Sequence, residues 1–222
     1  MEKDYMRNCD YYTVGFFVII NIDFVVLLFI LKHIGMKNKK SILLTFLVLI
    51  VISALYRVVP GRPFGFAPQI AMALFAGAVI KDKKYAFALP LFSMILSDAL
   101  YELLYISGLS TIQGFYEGQF TNYILFALMT AGGFLIKKIN LVNVFLASIT
   151  APTVYFLLSN FLVWLSGTGG LQRPKTFDGL MMCFADGLPF YKNSIWGTLF
   201  FSALLFGGYY LIRLNSAKPK TI

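Results

Sequence analysis

Residues 141–166 read LVNVFLASITAPTVYFLLSNFLVWLS, a stretch without a single charged side chain. A helix needs roughly 20 mainly apolar residues to cross a membrane, because each residue adds about 1.5 Å to its length and the hydrocarbon core is about 30 Å thick. This stretch is long enough to cross. Over the whole chain, 59% of the 222 residues are hydrophobic and only 13% are charged, which is more apolar surface than one soluble core of this size can bury. The sequence therefore predicts an all-α protein whose solvent is the lipid bilayer.

Other segments meet or nearly meet the same criterion, so we predict about seven transmembrane helices. The third segment is short and follows a loop, residues 57–68, whose three prolines and two glycines prevent a regular helix. The predicted spans are residues 14–34, 41–59, 66–80, 85–107, 120–136, 141–166 and 194–214. We divide the chain into an N-terminal tail with an extra first helix (1–40), one membrane domain (41–214) and a C-terminal tail (215–222).

The basic residues are distributed unevenly between the two sides of the membrane. If the spans alternate in direction, one set of loops and ends holds twelve of the 19 Lys and Arg residues and the other holds seven. The richer set lies close to span ends, where positive charge marks the cytoplasmic side. We therefore expect a bacterial inner-membrane protein with its N-terminus outside, its C-terminus in the cytoplasm, and loops 57–68, 108–119 and 167–193 on the outer face. The same clustering beside apolar spans argues against nucleic-acid binding despite a net charge of +9.

Polar side chains inside predicted spans indicate where a partner or solute could bind, because each costs on the order of 3 kcal/mol to place in lipid. In the fourth span, Asp98, Tyr101 and Glu102 follow i, i+3, i+4 spacing and share one face of its outer half. We predict that Asp98 meets a buried partner or a ligand, whereas Glu102 lies either at the interface or in the same site. In the sixth span, Asn160 and Trp164 lie one turn apart, although Trp164 alone would also fit an interfacial aromatic belt.

The proline-rich loop contributes two arginines. Arg57, at a helix end, is typical of a headgroup anchor. Arg62 lies between Gly61 and Pro63 in a stiff loop and is a candidate to close over an anionic or polar solute.

Three further features leave alternatives open. Asn21 and Asp23 in the first span could pair with another helix or with a partner subunit, or conduct protons. Cys9 and Cys183 both fall on the predicted outer face and could form one disulfide. The third span presents small residues that permit close helix contact, either inside the protein or as a docking face: Ala71, Ala73, Ala76, Gly77 and Ala78.

The sequence lacks the motifs of the common catalytic and metal sites. It contains no G-x-x-x-x-G-K-[ST], H-E-x-x-H or G-x-S-x-G motif and no Cys/His metal spacing, and its only histidine is His33. We therefore predict no catalytic residue, no cofactor and no metal. One alternative is a membrane enzyme acting on a lipid or small substrate through Asp98 and Glu102, because two carboxyl groups one turn apart can share general acid and base roles. A structural membrane subunit is another.

Two linked blocks of motifs resemble a known family. The first runs from Arg57-x-x-Pro-x-x-Pro63-x-x-Phe66-x-Pro68 through the small residues of the third span to Pro90-Leu-x-x-Met94-x-x-Ser97-Asp98. The second contains Ser159-Asn160-Phe-x-Val-Trp164-Leu, Pro174-Lys-Thr-x-x-Gly179-Leu, Cys183, Pro189-Phe190, Asn193 and Leu205-Phe206-Gly207. Together they cover about residues 41–212. They resemble a bacterial family of transport proteins of unassigned substrate, which is in turn similar to the S components of energy-coupling-factor (ECF) vitamin transporters.

This resemblance implies a six-helix core with both ends in the cytoplasm, preceded here by one extra span. By analogy, loop 57–68 would cap a small solute such as a vitamin, and ATPase and transmembrane coupling subunits would be partners in uptake. Core helix one, residues 41–59, carries only Ser53 and Ala54 where many S components have an Ala-x-x-x-Ala docking pair, so the protein could also work alone or dock through its first or third span. The pocket would be lined by Asp98, Glu102, Asn160, Trp164 and Asn193. With the loop arginines and Tyr101, the candidate substrate-binding residues are Arg57, Arg62, Asp98, Tyr101, Glu102, Asn160, Trp164 and Asn193.

Overall fold

The computed structural model describes residues 39–167 and 172–217. Within these ranges the regular secondary structure consists of helices only, as predicted. Its helices are α1 (Lys39–Val58), α2 (Gln69–Val79), α3 (Lys83–Ile106), α4 (Gln119–Gly133), α5 (Leu141–Ser166) and α6 (Phe177–Ala217). They correspond in order to the second to seventh predicted spans. The predicted first span, with Asn21 and Asp23, lies outside the described residues, as does Cys9.

Three of the described helices are long and apolar enough to cross a membrane: α3, α5 and the part of α6 from Phe177 to Leu211. In the other three described helices, the apolar segment is shorter than this length; α2 has 11 residues and α4 has 15. The predicted short third span is thus a short helix. A multi-pass membrane protein is consistent with these lengths, whereas the full set of seven crossings stays a prediction.

The largest difference from the predicted boundaries is at α6. Residues 177–193, predicted as part of an outer loop, belong to this helix, which has 41 residues and therefore extends roughly 60 Å. Asp178 and Pro189 made this segment look like a loop, because acids and proline usually interrupt apolar helices. The helix continues because it packs against α5: a Cβ on Gly187 would lie 2.5 Å from Oδ1 of Asn160. Cys183 consequently lies buried in a helix rather than in a loop.

Helix α2 is at the centre of the fold. Each of its residues from Gln69 to Gly77 is buried, and it contacts α3, α4, α5 and α6. Helix α1 packs on α3, and α5 pairs with α6. The α5–α6 pair is antiparallel, because Thr153 bonds to Tyr191 and Cys183 bonds to the backbone of Asn160.

The small residues of α2 allow α4 to approach closely. A Cβ on Gly77 would overlap the carbonyl oxygen of Thr130, and a Cβ on Gly133 would lie 2.6 Å from the carbonyl oxygen of Leu74. Side chains larger than hydrogen do not fit at this crossing. Of the two roles that the sequence allowed for this face, the structure therefore shows internal packing.

Candidate functional site

A buried ion pair joins α1 to α3 near the ends of both helices. Asp98 in α3 is 1% exposed, and its carboxylate accepts a hydrogen bond from Arg57 Nη1 at the end of α1. Arg57 Nη1 also donates to Ser97 Oγ at 2.6 Å. The other carboxylate oxygen, Oδ2, accepts bonds from Gln119 Nε2 and, at 2.8 Å, from the Tyr123 hydroxyl. The buried partner predicted for Asp98 is therefore Arg57, with two further donors from α4.

Arg57 and Tyr101 are part of the same arrangement. The guanidinium lies 5.7 Å from the centre of the Tyr101 ring, and the Tyr101 hydroxyl donates to the Arg57 carbonyl oxygen. Only 19% of the Arg57 side chain is exposed. The interpretation of Arg57 as a headgroup anchor is therefore wrong, because its charge is directed to Asp98 inside the protein.

Hydrogen bonds extend this arrangement from α3 through α4 to α5. Gln119 Oε1 accepts from Asn122 Nδ2 at 3.1 Å, and Asn122 Nδ2 also lies 2.6 Å from the Tyr116 hydroxyl oxygen. The Tyr155 hydroxyl in α5 donates to Asn122 Oδ1 at 3.0 Å. We call the connected side chains the Asp98 network. Its members are Arg57, Ser97, Asp98, Tyr101, Tyr116, Gln119, Asn122, Tyr123 and Tyr155.

Six members of the network were not among the site residues predicted from the sequence: Ser97, Tyr116, Gln119, Asn122, Tyr123 and Tyr155. A signal was nevertheless present. Gln119, Asn122 and Tyr123 follow i, i+3, i+4 spacing at the outer end of the predicted fifth span, which is the same pattern that identified Asp98, Tyr101 and Glu102.

Glu102 holds the loop between α3 and α4 against α3. Its Oε2 accepts hydrogen bonds from the backbone N–H groups of Gly114 at 3.1 Å and Phe115 at 3.2 Å. Gly114 itself lies so close to α3 that a Cβ would overlap the carbonyl oxygen of Asp98. The sequence allowed Glu102 either a position at the membrane interface or a place in the same site as Asp98. In the structure the Glu102 carboxylate borders the Asp98 network and accepts hydrogen bonds from backbone N–H groups.

Arg62 is used inside its own loop. Its Nε donates to the Arg57 carbonyl oxygen at 3.1 Å, and its Nη1 donates to the carbonyl oxygen of Phe66 at 2.8 Å. These bonds cross-link the loop and direct the guanidinium to backbone oxygens instead of to a space that a solute could occupy.

Three of the predicted site residues make hydrogen bonds in different places: Asn160, Trp164 and Asn193. Asn160 donates to the Phe156 carbonyl oxygen within α5, and Trp164 Nε1 donates to the Pro174 carbonyl oxygen at 2.8 Å. Asn193 on α6 donates to the carbonyl oxygen of Phe64 at 2.9 Å, which ties the proline-rich loop to α6. Neither of the two cavities described below is lined by Asp98, Glu102 or these three residues, and the single lining that the resemblance implied stays a prediction.

A cavity of about 600 Å³ lies between the beginning of α4 and the end of α5. This volume falls within the roughly 300–1,000 Å³ typical of small-molecule sites. Its apolar wall is formed by leucines and a valine, and Tyr116 and Asn122 belong both to the cavity and to the Asp98 network. The polar lining residues are Tyr116, Glu117, Thr121, Asn122, Ser159 and Ser166.

The position of Tyr116 affects its ionisation. Tyr116 is 45% exposed, and the partial burial of its hydroxyl raises the pKa above the ordinary value; the nearby Arg57 opposes this shift and Asp98 adds to it. The hydroxyl therefore stays protonated at neutral pH. Since its oxygen already accepts from Asn122, its proton is available to a molecule in the cavity.

A second cavity of about 640 Å³ lies between the other ends of α4 and α5. Its lining is apolar except for Asn143 and Thr150, so it lacks the polar groups that orient a solute. Within residues 39–167 and 172–217, no three His, Cys, Asp or Glu side chains come together in a group that could hold a metal ion.

Comparison with known proteins places most of the chain in one family. A family model described as "Family of unknown function (DUF6580)" matches residues 37–220. No curated protein and no solved structure shows significant similarity to the chain.

Proposed function

Since the chain belongs to the family of unknown function DUF6580, we propose its role from its own residues: it is a membrane transport protein that binds a small organic solute at the outer face for uptake. One observation carries this proposal. The cavity between α4 and α5 has the volume of a small-molecule site, and two of its polar walls, Tyr116 and Asn122, are held by the buried Asp98 network. A polar wall fixed in this way is suited to orient a solute.

The location of the cavity fits uptake from outside. It is bordered by the loop before α4 and by the end of α5, two chain segments that the distribution of basic residues assigns to the outer face. With this orientation, α1 to α6 form a six-helix core with both ends in the cytoplasm, as in the S components that the sequence resembles. The protein would then present its solute to coupling and ATPase subunits, because it contains no ATP-binding motif of its own.

The loop that covers the solute differs from the one that the resemblance implied. No residue of loop 57–68 lines the cavity, whereas Tyr116 and Glu117 come from the loop between α3 and α4. That loop is fastened to α3 by two backbone hydrogen bonds to Glu102 and by the close packing of Gly114 on the Asp98 carbonyl oxygen, so it covers the cavity as a fixed wall. We therefore assign the covering role to residues 107–118.

An enzyme acting through Asp98 and Glu102 is less well supported by the geometry. A general acid or base must reach a substrate proton. Asp98 is buried and already accepts from Arg57, Gln119 and Tyr123, and Glu102 accepts from two backbone N–H groups. Neither carboxylate lines either of the two cavities described above.

The proposal is tested by native mass spectrometry of the protein purified in mild detergent from the membranes of its own host. We expect a bound molecule of vitamin size on the wild-type chain and its loss in Asn122→Ala, because this change removes both the cavity amide and its link to Tyr116. Asn143→Ala is the matched control, since Asn143 lines the second cavity.

Retention of the molecule by Asn122→Ala but not by Asn143→Ala would move the site to the second cavity. A wild-type chain that is free of bound molecules and associated only with other subunits would instead support the structural-subunit alternative.

A further inference from the structure

Of the five basic residues that the structure describes on the predicted outer face, four are already engaged by other groups of the protein. Arg173 binds Asp186 through two hydrogen bonds of 2.9 and 3.0 Å. Lys175 donates to the carbonyl oxygens of Trp164 and Leu165 at the end of α5, the second at 2.9 Å, and lies 5.4 Å from the centre of the Trp164 ring. Arg57 and Arg62 are occupied by Asp98 and by loop carbonyl oxygens, as described above. Lys192 is exposed on α6 and does not line the cavity.

The acidic groups differ from the basic groups, because one acid in the cavity has no partner among the described residues. Asp98 and Asp186 are paired with arginines, and Glu102 accepts from backbone N–H groups. Glu117 lines the cavity, is exposed, and has no hydrogen bond or ion pair with any residue in the described part of the chain. Glu117 is therefore the charged group that the cavity presents to an incoming molecule.

From this charge pattern we infer that the solute carries a positive charge, as an amine or ammonium group that binds Glu117; the inference rests on the proposed function of the cavity. An anion would meet an uncompensated carboxylate without any lining cation to offset it. A cation gains that carboxylate, while the hydroxyl groups of Thr121 and Ser159, which line the same cavity, supply acceptor oxygens. The apolar wall would hold the uncharged part of the molecule.

The test is a thermal-shift and binding measurement on the purified full chain in detergent with three sets of probes. Thiamine, choline and spermidine are the cations, riboflavin and inositol the neutral compounds, and biotin and pantothenate the anions. We expect binding confined to the cation set and weakened about two- to fivefold in Glu117→Gln, the range for an ion pair with an exposed carboxylate. Because Glu117 is exposed, the affinity of the wild-type chain should also fall as NaCl is raised.

Asp178→Asn is the matched control, since it removes the same charge from the outer side of the chain but does not line the cavity. Equal weakening by both variants would reduce the effect to general surface charge and overturn the inference. Binding of a neutral or anionic probe that Glu117→Gln does not weaken would overturn the inference while leaving solute binding in place. No binding by any probe, together with no bound molecule in native mass spectrometry, would overturn the inference and the proposed function together.

Discussion

Asp98 illustrates how an apolar helical fold can hold a carboxylate at 1% exposure. An isolated buried charge is expensive, so its oxygens must be compensated by donors. Arg57 supplies the opposite charge, and Gln119 and Tyr123 bond to the second oxygen. The carboxylate thus joins the ends of α1, α3 and α4, and its main role in this structure is to connect helices.

Replacing Asp98 with Asn should destabilise the fold by about 3 kcal/mol, because breaking a buried pair leaves the Arg57 guanidinium without a counter-charge. Asp186→Asn is the matched control: its pair with Arg173 leaves both side chains about one-third exposed, and such pairs contribute about 1 kcal/mol or less. Thermal and denaturant unfolding in mild detergent measures the loss of stability in both variants.

The double variant Arg57→Gln/Asp98→Asn should cost less than the sum of the two single changes, since it removes both charges. An Asp98→Asn protein as stable as Asp186→Asn would show that the ion pair is not what holds α1 against α3.

The sequence predicted part of this site for a clear physical reason. The cost of a charge in lipid indicates that Asp98 must have a partner, and helical spacing places Tyr101 beside it. The partner's identity depends on tertiary contacts: Arg57 precedes Asp98 by 41 residues, and Asn122 meets Tyr155 across 33. Asn160 and Trp164 share a helix face but bind different segments of the chain, so a common face did not mean a common site.

At the scale of the helices, the crossing of α2 and α4 depends on two glycines. Gly77 and Gly133 lie against each other's helix backbone, with a Cβ on Gly133 only 3.0 Å from the Cα of Gly77. In lipid, helices gain little from the hydrophobic effect when they associate, so close van der Waals contact at small residues is important.

Gly77→Ala should destabilise the fold by about 2 kcal/mol or more, because the added methyl group overlaps backbone atoms that cannot rotate away. Gly132→Ala is the matched control one position from this contact, since a Cβ there meets nothing within 4 Å. In a helix, that second change should be neutral or stabilise by up to about 1 kcal/mol. Unfolding in detergent compares the two, and similar losses in both would contradict a tight α2–α4 crossing.

Helix positions were predictable because they depend mainly on apolar length, and α5 was predicted at its observed bounds. The beginning of α6 was missed because its sequence contains polar residues and Pro189 in the helix. A proline removes one backbone hydrogen bond, which packing can offset, and here Gly187 and Cys183 hold this part of α6 against α5. Packing between distant segments thus overrode a local signal.

At the scale of the whole molecule, the proposed function depends on which side of the membrane the cavity faces. The cavity is bordered by the loop between α3 and α4, and the opposite side carries Lys81 in the loop before α3 and Lys83 and Lys84 at the beginning of α3. The bias of basic residues predicts that these lysines face the cytoplasm. An outward cavity would capture a solute for uptake, whereas an inward cavity would open to the cytoplasm.

The orientation can be tested by placing single cysteines in a Cys9→Ser/Cys183→Ser background. Gln113→Cys lies in the exposed loop beside the cavity, and Lys81→Cys lies in the exposed loop on the opposite side. We expect a membrane-impermeant maleimide to label the first in intact cells and the second only after the membrane is permeabilised. The two positions serve as controls for each other, since both should react once access is unrestricted. The reverse pattern would place the cavity in the cytoplasm, and the chain would then have to release or bind its solute from inside, which is incompatible with capture at the outer face.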